Sequence, residues 1–545
     1  MCFVQRSLVM ELNLHYFPYP GRRIPVVAER GVVASSHPLA SQAGMQILQA
    51  GGNAVDAAIA TAAALTVLEP TSNGLGGDGF ALIWAGDQLY GINGSGAAPG
   101  RLSVDALAVA SYTEIPTHGW WPVTVPGVVR LWGDMHDRFG RLPLDQVLAP
   151  AITYAAEGAP TPPMVAYFWA RGVEAARTRH GPEFAGFLPT FSIDGRAPRP
   201  GERFVSPGHA RTLRLIARHG ADVFYQGEIA EAIDRFARET GGLLRAEDLA
   251  LHRSEWVTPI SMQYRGYTVH EIPPNGQGIA ALMALGILDQ FDLVRYPRDS
   301  AAAFHYQIEA MKLAFADTFA YVADPRKAAV PVADMLNRER LAARSHLIGE
   351  RANTFQPDNL PRGGTVYFAT ADRDGMMVSM IQSTYMGFGS GVVIPGYGIA
   401  MHNRGCGFVM TPGHPNQVAP GKRPFHTIVP GFLSKDGLLI GPFGVMGAHM
   451  QPQGHVQVIV NTLDYGLHPQ AALDAPRWRW ERDGTLRLEL ETPRHVIEGL
   501  AARGHQVVVE SELGGFGRGQ IIWRLASGCY VAGTEPRCDG LAIGW

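Results

Sequence analysis

The chain has 545 residues, 46% of them hydrophobic and 17% charged, with a formal net charge of −3. That balance belongs to an ordinary globular protein, long enough for several domains or one large α/β body. It excludes a polybasic binder of nucleic acid or anionic membrane, and no apolar run reaches membrane-spanning length.

Taken in chain order, the first segment is interrupted by Arg6 and Glu11, so it makes no signal-peptide pattern and a cytoplasmic location is expected. Residues 40–68 form a helical block, with Asn53 placed to cap a helix and Asp56 three positions on in capping-box spacing. Gly74-Leu-Gly-Gly-Asp-Gly79 matches the dinucleotide fingerprint GxGxxG, but a helix precedes it and a strand-like run follows. That order is inverted for nucleotide binding, and close backbone packing is the better expectation. Residues 303–323 read as a second helix, with Ile308, Met311, Phe315, Phe319 and Val322 on one stripe and Asp324-Pro325 stopping it. The stretch from about 345 to 364 is polar and aperiodic, which predicts a mobile loop.

Beyond that loop the pattern changes to strands. Thr365–Asp372 and Met376–Ser383 flank Arg373-Asp374-Gly375, a hairpin signal, and both are apolar on both faces. A short loop places Thr365 opposite residue 382, 383 or 384, so Ser383 or Thr384 can present a hydroxyl beside it. No internal repeat or long linker interrupts the chain, and one compact unit is expected. The four cysteines (Cys2, Cys406, Cys529, Cys538) show no CxxC spacing, and His402, His449 and Cys406 do not stand at metal-ligand intervals, so no metal site is expected.

Thr365 follows Gly363-Gly364 and starts a strand. A threonine in that setting can attack the preceding carbonyl and, after hydrolysis of the ester, become a new N-terminus. It then carries both a nucleophile and a base, because an α-amino group has a pKa of about 7.7–8.0.

With these residues go segments that resemble a known family in its order: Gly51–Ala58, Gly74–Phe80, Val125-Pro-Gly127, Phe224–Gly227, Tyr264–Tyr267, Pro273–Gly278, Phe388–Gly391, Lys422-Arg-Pro424, Asp464-Tyr-Gly466 and Ala475-Pro-Arg477. The chain resembles the γ-glutamyltransferases among the N-terminal-nucleophile hydrolases over nearly its whole length. The resemblance implies an α+β fold, a four-layer αββα sandwich, and a precursor cut between Gly364 and Thr365. The products are then a large chain, 1–364, and a small chain, 365–545, that stay together as a heterodimer, with a dimer of heterodimers as a further option.

By position, Thr365 matches the family's nucleophile and Ser383 a neighbouring threonine hydroxyl. Gly447 and Ala448 match the two residues whose backbone N–H groups hold the oxyanion. The residues that grip a glutamate in the transferases do not carry over: Ser95 stands for an arginine, Tyr385 for an asparagine, Arg404 for an acidic or amide residue, Gly407 for an aspartate, and His426 for the first of two serines, followed by Thr427. Arg404 suits a carboxylate, not an ammonium. Together with the run Gln382-Ser-Thr-Tyr385, this is similar to the branch that includes oxamate amidohydrolase. The expectation is a cofactor-free amidohydrolase acting on a small anionic amide. A γ-glutamyl hydrolase or transpeptidase is the alternative, and a catalytically silent binding protein of the same fold is the reading from a different class.

Overall fold

The computed structural model describes residues 13, 18–19, 23–353, 364–511 and 514–545. Most of the loop expected before Thr365, and most of the N-terminal segment, lie outside the described residues. Eleven elements position the site. In chain order they are β1 (Gly31–Ser35), α1 (Pro38–Gln49), α2 (Ala54–Leu68), β2 (Asp78–Ala85), α3 (Ala301–Tyr321), β3 (Gly364–Asp372), β4 (Met377–Tyr385), β5 (Gly431–Lys435), β6 (Leu438–Met446), α4 (Met450–Leu463) and β7 (Arg518–Arg524).

Two seven-stranded sheets stack face to face. One runs Leu541–Gly544, β1, β3, β4, β2, Gln88–Asn93, Glu255–Val257; the other runs Val26–Ala28, Tyr530–Thr534, β7, β6, β5, Tyr267–Glu271, Ile260–Tyr264. Parity along β3 shows how the layers arise. Tyr367, Ala369 and Ala371 enter an inter-sheet core with Phe432, Met446 and Ile522, whereas Val366 and Phe368 enter a second core with α2. A third core packs the outer face of the second sheet on α3, α4 and neighbouring helices. Successive strand residues point to opposite faces, so strands apolar on both sides demand cover on both sides. This is the four-layer αββα sandwich that the resemblance implied.

The helical block from residue 40 divides in two at Gly51-Gly52. Asn53 caps α2: its Oδ1 accepts from the Val55 and Asp56 N–H groups, and Asp56 Oδ2 accepts from the Asn53 N–H at 3.1 Å, a complete capping box. All fifteen residues of α2 are buried, and its alanines let it lie close to β3. Asp372 Oδ2 accepts from the Ala54 N–H at 2.8 Å, and the Thr370 hydroxyl donates to the Ala54 carbonyl at 2.7 Å. These bonds fix the far end of β3, and with it the register of Thr365. The expected helix at 303–323 spans Ala301–Tyr321.

The Gly-rich run is a packing device. A Cβ on Gly76 would come within 2.2 Å of the Ala400 carbonyl oxygen, and one on Gly77 within 2.3 Å of that of Ser383. Only glycine lets the chain pass that close to β4 at Ser383 and to the short strand Ile399–Ala400.

Candidate active site

β3 and β4 pair antiparallel, with Val366 opposite Gln382 and Gly364 opposite Tyr385. Between those pairs one strand offers one residue, Thr365, and the other two, so the ladder is bulged at the first residue of the expected small chain. The Thr365 hydroxyl donates to Ser383 Oγ at 3.1 Å, and the Tyr385 N–H donates to the same oxygen at 2.7 Å. Both hydroxyls are buried, each residue being 1% exposed. Tyr385 turns the chain out of β4 with φ of 78°, a left-handed conformation unusual for a bulky side chain.

β6 ends at Met446, on the inter-sheet side. Gly447 and Ala448 follow it directly, with φ of 132° and 54°, and lead into α4. Neither N–H donates to a described acceptor. Two free amides just ahead of a helix N-terminus make a site for developing negative charge. The turn is held by Gln277, whose Nε2 donates to the Ala448 carbonyl at 2.8 Å and to the Thr427 carbonyl at 2.6 Å.

Around Asp78, at the start of β2, the structure gathers residues far apart in sequence. His426 donates from Nε2 to Asp78 Oδ2 at 2.7 Å and accepts at Nδ1 from the Ile428 N–H at 3.3 Å. His402 Nδ1 stands 3.6 Å from the same carboxylate oxygen, and Arg404 Nε stands 3.8 Å from the other. All four side chains are fully buried. Burial would raise the Asp78 carboxyl, but His426, Arg404 and His402 hold it well below the usual range. Burial, with Arg404 adding to it, pushes His426 down to about 4, so the imidazole is neutral near pH 7.

Arg404 lies with its guanidinium carbon 4.1 Å from the Tyr385 ring centroid, and its Nη1 donates to Thr427 Oγ1 at 2.8 Å. Its Nε and Nη2 are buried with no described hydrogen-bond partner. Nε faces the Asp78 carboxylate, so Nη2 is the donor left open, and a buried guanidinium N–H in that state is suited to an acceptor, most naturally an oxyanion.

The structure thus joins Thr365 to Ser383, and Arg404 to Tyr385 and Thr427, as neighbours. It does not leave His426 free, because both ring nitrogens are occupied within the protein. Ser95 is similarly engaged: its hydroxyl donates to Asn93 Oδ1 at 2.7 Å and meets Asn275. Three residues that the sequence reading gave no role stand at the centre of the cluster: Asp78, His402 and Gln277. Asp78 lies inside the Gly-rich run read for backbone packing, and Gln277 inside a segment, Pro273–Gly278, that served only the family resemblance. The available signal was an unpaired aspartate in an otherwise apolar stretch, which must find a cation when buried.

A threonine at the head of an inner strand, a hydroxyl beside it, open backbone donors at the end of the facing sheet and helices outside both sheets together define an N-terminal-nucleophile hydrolase. Comparison narrows the class. The family model for gamma-glutamyltranspeptidase matches residues 40–545. The glutathione hydrolase-like YwrD proenzyme of Bacillus subtilis is 37% identical over 539 residues, covering 95% of this chain and 99% of that protein. The oxamate amidohydrolase proenzyme of Klebsiella pneumoniae is 36% identical over 533 residues, covering 95% and 99%. The crystal structure of cephalosporin acylase from Bacillus halodurans superposes with a TM-score of 0.94 at 52% identity, covering 98% of this chain and 99% of that one. The chain belongs to the γ-glutamyltranspeptidase family and is an amide-cleaving hydrolase or acylase of it. Among the described residues, no helix is long and apolar enough to cross a membrane.

Proposed function

We propose that the polypeptide cuts itself between Gly364 and Thr365, and that the freed Thr365 then hydrolyses a small amide carrying an anionic group, oxamate being the simplest. The observation that carries the reading is the buried pair of hydroxyls at the bulge, Thr365 Oγ1 to Ser383 Oγ, 3.1 Å apart. In the mature form the new α-amino group takes the Thr365 hydroxyl proton as Oγ bonds to the amide carbon. The Gly447 and Ala448 N–H groups hold the resulting oxyanion. Collapse breaks the C–N bond, the amine leaves with the proton, and water releases the acyl group by the same route. Ser383 orients the nucleophile, and no cofactor takes part.

Arg404 supplies the anion specificity. Its open Nη2 suits a carboxylate oxygen, and the Tyr385 ring against it shortens the pocket. His426 and His402 act behind it by holding Asp78, which keeps Arg404 in place. The likeness to oxamate amidohydrolase supports this substrate class. A γ-glutamyl substrate is disfavoured, since its ammonium would meet Arg404 where the transferases offer a carboxylate. Steady-state kinetics on oxamate and on γ-glutamyl-p-nitroanilide test the proposal. Turnover of the first and little of the second is expected; efficient turnover of the second alone overturns the substrate assignment.

A further inference from the structure

His449 follows Ala448 and faces a cavity of about 230 Å³ lined on one side by Phe315, Phe319 and Trp480, on the other by the charged run Arg479 to Asp483, and floored by Gly447 and Ala448. The Arg482 guanidinium carbon lies 3.6 Å from the Phe319 ring centroid. Phe315 stacks on Phe319 at 5.1 Å and on Trp480 at 6.2 Å, and the His449 ring stands perpendicular to both phenylalanines. A cavity of ~150 Å³ suffices for benzene, so by volume this one holds a substituted ring, and its polar side can meet a substituent.

The protonation of His449 follows from its neighbour. Gln277 spends both Nε2 hydrogens on the Thr427 and Ala448 carbonyls, which leaves its Oε1, an acceptor, 3.0 Å from His449 Nδ1. Nδ1 must therefore carry the hydrogen. Burial, with Arg482 and Arg404 adding to it, lowers His449 to about 3, so the ring stays neutral. Its Nε2 then presents a lone pair, and that atom is buried with no described partner. A buried acceptor left open is costly unless a donor meets it.

We propose that this cavity is a binding subsite for an aromatic ring bearing one hydrogen-bond donor, a phenol or an aryl N–H, read by His449 Nε2. The ring packs beside Trp480 and the edge of Phe315, since Arg482 already lies over Phe319, and the donor selects among rings. Its connection to catalysis rests on the proposed active site, because the same cavity is floored by the Gly447 and Ala448 turn. There it extends the substrate class from small anionic amides to amides with an aryl substituent of this kind.

Phenol and toluene differ by hydroxyl against methyl on one ring, and their binding to the purified protein tests the proposal without turnover. Ligand-observed NMR gives the affinities, and the 15N resonance of His449 Nε2 reports the hydrogen bond. Phenol is expected to bind at least about tenfold more tightly than toluene and to shift the Nε2 resonance, which toluene leaves in place. In His449→Phe the preference disappears while toluene still binds. Equal affinities, no Nε2 shift, or a preference that survives in His449→Phe overturns the proposal. Should that variant not fold, the wild-type 15N titration decides alone. Loss of the catalytic reading shows up separately, as amide hydrolysis retained by Thr365→Ala, and leaves the phenol result standing.

Discussion

The Thr365 and Ser383 hydroxyls meet at 3.1 Å across a bulge in an otherwise regular hairpin. The bulge lets Ser383 Oγ accept from both Thr365 and the Tyr385 N–H, so its position is fixed from two sides. Ser383→Ala removes that anchor and leaves the fold intact. Cleavage and turnover are expected to slow by about 10–100-fold, the scale of a lost positioning hydrogen bond near a reacting group. Ser383→Thr keeps the hydroxyl and is expected to restore most of the rate; single-turnover assays and gel-monitored processing check both.

Ala448 holds a left-handed backbone with φ of 54°, which costs an alanine about 1–2 kcal/mol. Ala448→Gly keeps the N–H and relieves that strain. It is expected to stabilise the protein by about 1 kcal/mol in urea unfolding with kcat nearly unchanged. A large loss of kcat would show that the methyl group, and not only the amide, takes part.

Gln277 supports the same turn from behind. Gln277→Leu leaves the Thr427 and Ala448 carbonyls without their donor, each at about 1–3 kcal/mol, and frees the turn to move. Stability should fall by several kcal/mol, and kcat should fall more than KM rises if the Gly447 and Ala448 N–H groups hold the oxyanion as proposed, because such donors act in the transition state.

Arg404 and Asp78 face each other fully buried. Arg404→Met leaves the buried Asp78 carboxylate without its guanidinium, and breaking a buried pair from one side costs about 3–5 kcal/mol. The double variant Arg404→Met, Asp78→Leu is expected to recover part of that stability but none of the activity on anionic amides.

The protein should be steeply sensitive to mild acid. Burial lowers His37 and His252 to about 3 and His209 and His426 to about 4. Each takes up a proton near pH 6.5 when unfolded but not when folded. Stability is therefore complete above pH 6.5 and falls as pH drops from 6.5 towards 4, by about 1.4 kcal/mol per unit for each histidine. Asp78, depressed in the folded state, removes further stability below about pH 4. Urea midpoints measured between pH 8 and 4.5 check the slope; a flat profile would contradict neutral burial.

Much of this was legible in the sequence, for reasons that differ by residue. The Asn53–Asp56 capping box is a local consequence of spacing; hairpin register narrowed the hydroxyl beside Thr365 to Ser383 or Thr384, and the family resemblance chose Ser383. Strands apolar on both faces announced cover on both sides, but the two stacked sheets and their layer order came from family resemblance. The cluster at Asp78 was not legible, because its members come from β2, from the segment after β4 and from the run before β5, and only the closed sandwich brings them together. For the same reason His426 looked available for a ligand when it is spent on Asp78 and Ile428. Gln277 lay hidden in a glycine-containing run, and its three-way contact exists only once that loop meets the end of β6.

The account turns on whether residue 365 becomes a chain terminus, and intact mass spectrometry of the purified active protein measures that directly. Two polypeptides are expected, the smaller beginning Thr-Val-Tyr-Phe, with Thr365→Ala remaining a single inactive chain. An active wild-type protein of undivided mass, or cleavage that persists in Thr365→Ala, would contradict it.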